Sequence, residues 1–261
     1  MMFKAEFPTM LHKDTAEIVR DYFLTDPKVD TILVVNSCAR GQAVPESDLD
    51  FAVLVKSGTS EAEVNNIETG WQSYMQSHPV ILKFKQSSRF AHLHLDVIDG
   101  NYTPAIWEIG VVSDCFELEL GNQICYSAPM DKIGPYFKEL QKKWLPYYNE
   151  DLRLNRLTMI KNACEYDMEH IPLFLKRGLY FQAFDILCKA FQEYLQILFI
   201  ANKTYPIAYN KWIKYQVVNL LNKPDIYPQL SPVLSVGNIE SNEINDKVVL
   251  LMRLINNLDI E

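Results

Sequence analysis

Hydrophobic and polar positions change period several times along the chain. Residues 31–35 and 49–55 are short runs of β-branched and apolar side chains, which predicts two largely buried strands. The polar loop between them holds the turn formers Gly41, Pro45 and Ser47. Residues 91–98 alternate and read as another strand, closed by the turn Asp99-Gly100, and residues 79–85 and 115–120 also read as strands. Helical spacing appears in residues 13–24, where Ile18, Val19, Tyr22 and Phe23 form an apolar stripe. The spacing of Ser60 and Glu63 predicts a capping box that opens a helix through Gln76. From about Asp131 the pattern becomes helical throughout, over residues 132–144, 151–176, 180–201, 209–221 and 239–258, punctuated by Pro146, Pro206, Pro224, Pro228 and Pro232. This order predicts an α+β protein. Residues 1–130 form a small mixed twisted β-sheet with helices on one side, and residues 131–261 form an all-α helical bundle.

Alternation within the second strand carries the chemistry. Asp48 and Asp50 project to one face while Leu49, Phe51 and Val53 project to the other. Two carboxylates about 5 Å apart repel by roughly 3 kcal/mol at an effective dielectric near 20, so a cation between them is expected. A hard divalent ion such as magnesium suits carboxylate oxygens and keeps positions open for phosphates. An isolated D-x-D reads more readily as the end of a turn with a solvated edge residue. The preceding loop adds to the pair: Ser37 offers a hydroxyl and a backbone N–H, Gly41 allows an anion-binding concavity, and Arg40 can contact phosphate. Cys38, within that loop, reads as a small apolar filler. Farther on, His92, His94 and Asp96 share one strand face. Neither a nearby Cys nor a further His completes a zinc set, so both histidines read as polar or packing residues flanking the site.

The Ser37, Arg40-Gly41 and Ser47-Asp48-Leu49-Asp50 pattern, with its loop length, resembles the nucleotidyltransferase superfamily, which includes DNA polymerase beta and the kanamycin and lincosamide nucleotidyltransferases. The family usually has Gly where this chain has Asn36, a residue that tolerates left-handed backbone better than other non-glycine residues. The resemblance implies Asp48, Asp50 and Asp96 as catalytic carboxylates holding two magnesium ions, with a nucleoside triphosphate as substrate. It implies a nucleotide cradle from Asn36, Ser37, Arg40, Gly41 and Ser47. More loosely, residues 198–206 followed by Lys211-Trp212 resemble the helical domain of aminoglycoside-type members. That likeness implies Lys211 at the triphosphate, Trp212 against a ring, and Glu165 or Asp167 at an acceptor hydroxyl.

Composition narrows the acceptor. The 261 residues are 48% hydrophobic and 12% aromatic, enough for packed cores. A net charge of -8 argues against a general nucleic-acid surface and favours a small-molecule hydroxyl acceptor. Five cysteines without a C-x-x-C suggest neither a disulfide framework nor a metal knuckle, and a reducing cytoplasm fits them. The first residues lack the apolar run of a signal peptide. The apolar stretch 183–201 contains Asp185, Lys189 and Glu193, so it reads as a soluble helix and not a membrane span. Those three residues are spaced to form a salt-bridged stripe. The expected partners are an NTP, with ATP preferred, and a hydroxyl acceptor, while a homodimer is allowed. Two other functions compete: transfer of AMP to a protein, and a catalytically inactive nucleotide-binding or interaction module.

Overall fold

Val29–Val34 (β1) and Leu49–Val55 (β2) are the two strands that the apolar runs predict, and they pair antiparallel. The computed structural model describes residues 3–105, 114–131 and 133–258. Leu93–Ile98 (β3) joins β2 in parallel and Ala128–Met130 (β4) joins β1 antiparallel, giving a four-stranded mixed sheet in the order β3-β2-β1-β4 among the described residues. Helices Met10–Leu24 (α1), Glu61–Ser77 (α3) and Pro79–Ser87 (α4) cover one face. There Ile32, Val34, Phe51 and Val53 share a core with Val19, Phe23, Trp71, Ile81 and Phe84. The short helix Asn36–Ala39 (α2) lies between β1 and β2. Leu33, Ala52 and Leu54, on the other face, are buried as well, so the sheet is covered on both sides and not on one.

Two predicted strands are helices. Residues 79–85 begin α4, where Pro79 at the first helical turn supplies a preset φ and Ile81 and Phe84 bury one face at i, i+3. Of residues 115–120, Cys115 is a bend and the rest lie in Phe116–Glu119 (α5) and the start of a π-helical turn, Leu120–Cys125. Phe116, Glu117, Leu120 and Ile124 are buried at helical spacing that the alternating sequence disguised. The capping box at Ser60 forms, with the Ser60 N–H donating to Glu63 Oε2 at 2.9 Å.

The chain divides into two compact units, Met1–Thr103 with Glu119–Leu145, and Pro104–Leu118 with Pro146–Glu261. Residue 130 lies inside the first, where β4 pairs with β1 and Pro135–Trp144 (α6) is capped from the sheet. The buried Asp30 carboxylate accepts the Tyr136 and Phe137 N–H groups at 3.1 and 3.0 Å, at the positive end of the α6 dipole. Gly134 is required there, because a Cβ would lie 2.2 Å from that carboxylate. The expected helix start at Lys132 lies outside the described residues.

In the second unit Glu150–Lys176 (α7) and Tyr180–Ala201 (α8) pack with Tyr227–Leu234 (α10) and Glu243–Asn256 (α11) around one apolar core. The predicted helix 209–221 is reduced to Ile213–Tyr215 (α9) and a π-helical turn, Gln216–Leu220. Buried Gln216 explains this: its amide accepts the Ile207 N–H and donates to the Ala208 and Lys211 carbonyls, holding the preceding loop outside the helix.

Among the described residues, Asp185, Lys189 and Glu193 make no close ion pair with one another, in place of the expected stripe. Lys189 Nζ lies 2.8 Å from Asp167 on α7, and Glu193 is completely buried beside the same carboxylate. Burial, followed by the Asp167 carboxylate, pushes the Glu193 carboxyl up to about 8 from an ordinary 4.5, and Lys189 reverses this only in part. The folded protein therefore keeps a proton that the unfolded chain releases. The stability this group confers is complete below about pH 4.5 and falls as pH rises, by at most ~1.4 kcal/mol per pH unit, until about pH 8. Glu193→Gln is expected to flatten that decline. Urea midpoints from about pH 5 to about pH 8.5 check it, and a variant declining as steeply as the parent contradicts it.

Candidate active site

The two carboxylates meet a histidine. Asp48, Asp50 and His94 each offer a ligand atom, and these atoms all lie within 4.8 Å of one another. Asp50 is 9% exposed at the start of β2, while His94 is exposed on β3. Register explains the grouping: Asp50 pairs with His94 across the parallel strands, whereas Asp96 pairs with Ala52. Asp96 is displaced along β3 by two residues, about 6.6 Å, and is exposed outside the three-residue group. The strand pairing places His94 beside Asp50, directly against the carboxylate pair that it was expected to flank. His92 stays one step back, its ring centroid 5.8 Å from that of His94.

The loop before the carboxylates is held from several directions. Asn36 adopts φ +58°, the left-handed conformation that glycine provides at no steric cost. The Ser37 carbonyl accepts the Arg40 and Gln42 N–H groups at 3.2 and 2.9 Å, and Gly41 has φ +67° with the Glu6 carboxylate packed against it. Arg40 is tied within the unit, donating to Gln42 Oε1 and Asn122 Oδ1, both at 3.1 Å. Ser47 closes a turn: its hydroxyl accepts the Val44 N–H at 2.9 Å. Buried His12 on α1 bridges the Ser47 carbonyl at 3.0 Å and the Thr9 hydroxyl at 2.8 Å, fixing the approach to Asp48. Sequence reading gave His12 no role, and no short motif marks it, since its contact spans 35 positions. Cys38 is buried beneath the pair; burial, then Asp50 and Asp48, push its thiol up to about 12, so it is an unreactive filler as expected.

The remaining candidates belong to the second unit. Lys211 is exposed on a groove of about 490 Å³ together with Trp212, Tyr215 and Tyr227. Trp212 is held at φ +60°, and the residue is 40% exposed. Asp167 is engaged by Lys189, and Glu165 lies 3.9 Å from Lys161 on the same helix. A separate cleft of about 370 Å³ in the first unit, lined by Glu61, Asp99, Tyr102 and Glu119 among others, opens at the far end of β3 from His94.

Residues 13–102, which run from α1 through β3 and carry all of Asn36 to Asp96, match the family model described as a nucleotidyltransferase domain. A solved structure of a nucleotidyltransferase-like protein from Exiguobacterium sibiricum 255-15 is similar at 12% identity and a TM-score of 0.41, over 94% of this chain and 74% of that one. No curated protein matches the chain. Among the described residues, no helix is long and apolar enough to cross a membrane.

Proposed function

We propose that the chain is a divalent-metal-dependent nucleotidyltransferase. It moves a nucleoside monophosphate, AMP from ATP by preference, to a hydroxyl of a small molecule and releases pyrophosphate. The observation that carries this reading is the Asp48, Asp50 and His94 group inside a domain matched to that family. Oxygen and imidazole donors that converge on one point fit a divalent cation, and Asp48 and Asp50 would hold it. When bound, such an ion neutralises triphosphate charge and lowers the pKa of an attacking hydroxyl.

The chain's own residues supply position. The α2 turn, entered through left-handed Asn36, presents Ser37 toward the outgoing phosphates, and Arg40, anchored to Gln42 and Asn122, keeps the loop in shape. Gly41 and Ser47 set the two bends of that loop. Asp96, farther along β3, is the base for the acceptor hydroxyl, and in the second unit Lys211 and Trp212 present a cation and a ring face on their own groove. Asn36 takes the backbone conformation that the family's usual glycine would take, which supports turnover over an inactive binding module. The net charge of -8 supports a small acceptor, and the cysteine usage supports the cytoplasm.

Incubation with each NTP, manganese or magnesium, and a panel of hydroxyl compounds is expected to release pyrophosphate and to add a nucleoside monophosphate to one acceptor by intact mass. Mass addition to a protein alone would support the protein-AMP-transferase reading. NTP binding without turnover on any acceptor would overturn transfer altogether.

A further inference from the structure

We infer that His94 is a direct metal ligand and that it turns the site from magnesium toward manganese-class transition ions. The inference rests on the proposed metal-dependent reading and deepens it by naming the ion class. Neighbouring strands lie about 4.8 Å apart, and Asp50 and His94 are register partners on adjacent parallel strands. Their side chains emerge on one face at the same level. Asp48, two residues before Asp50, completes a three-donor set whose ligand atoms lie within 4.8 Å of one another. Adjacent donors around a six-coordinate ion sit about 3 Å apart, a separation reached from this arrangement by side-chain rotation. Asp96, which would make an all-carboxylate set, is outside the group because the register sets it beside Ala52.

The donor chemistry then selects the ion. Magnesium favours oxygen ligands and retains its water, gaining little from an imidazole. Manganese and cobalt accept mixed carboxylate and imidazole sets, and imidazole nitrogen raises affinity along the first transition row. Three protein donors leave the other positions of a six-coordinate ion open, where triphosphate oxygens can bind. Zinc is a poorer fit, because its tetrahedral preference would leave one open position for a multidentate substrate.

The test uses the metal-free full chain and reads binding, not turnover. Manganese titration followed by electron paramagnetic resonance is expected to show binding at least ~10-fold tighter than magnesium, measured by competition. Pulsed measurement of bound manganese should show nitrogen coupling from one imidazole. His94→Ala is expected to lose that coupling and at least ~10-fold in manganese affinity, with magnesium affinity nearly unchanged. His94→Asp should restore magnesium preference, and His92→Ala should behave as the parent. Circular dichroism identifies any variant that fails to fold, and in that case the nitrogen coupling of the parent and the His92→Ala protein decides the matter. Absent coupling in the parent, its loss in His92→Ala, or equal affinities for the two ions overturns the inference. The two readings fail separately: nitrogen coupling without transfer to any acceptor sinks the proposed activity alone, while transfer without coupling sinks the role of His94 alone.

Discussion

Asp50→Asn is expected to lower kcat/KM for nucleotidyl transfer on the order of 10³-fold, about 4 kcal/mol of transition-state stabilisation, in a protein that still folds. The substitution keeps the shape of the side chain and removes its charge. What is lost is the anionic donor at the centre of the group, the residue that lies next to Asp48 in sequence spacing and next to His94 across the sheet. The substitution keeps the Asp50 backbone carbonyl, which accepts the Val35 N–H at 3.0 Å between the strands. Removing one of two neighbouring carboxylates also relieves a repulsion of roughly 3 kcal/mol in the metal-free protein. Pyrophosphate release by the purified variant, alongside its melting curve, is the measurement. Unchanged activity would remove Asp50 from the site.

How much of this was legible in the sequence follows the range of the interactions. Strands β1 and β2, the Ser60 capping box and α8 depend on neighbours a few residues away, and they appear where the local pattern places them. Asn36, a residue type able to replace glycine in a left-handed turn, has φ +58°. Alternation put His94 and Asp96 on one face but could not say which stands beside Asp50. That depends on the β2 to β3 register, which no single strand encodes. The strand readings of 79–85 and 115–120 failed because short apolar runs fit both periods until packing chooses one. Asp30, His12 and Gln216 act on backbone groups elsewhere in the chain, so their roles became visible only with the fold.

Arg156→Met is expected to destabilise the second unit by about 3–5 kcal/mol. Arg156 is 2% exposed, and its guanidinium binds Asp114 through two nitrogens, at 3.0 and 2.7 Å, and Glu117 Oε2 at 2.7 Å, while Tyr148 and Gln196 donate to the same Glu117. Glu117 is completely buried, so removing the arginine leaves a carboxylate in the interior with only neutral donors. Phe116 adds a ring 4.9 Å from the guanidinium. This network joins the segment carrying Asp114 and Glu117 to α7 and α8, and it accounts for the grouping of Pro104–Leu118 with the helices despite the residues between them in sequence. Hydrogen exchange should therefore report the loss in α7 and α8 amides and leave the β1 to β3 amides protected. Adding Glu117→Gln to Arg156→Met removes the stranded charge and should recover part of the stability, as expected when the cost lies in an unpaired buried ion and not in lost packing. If the double variant is no more stable than the single, packing around the guanidinium is the larger contribution.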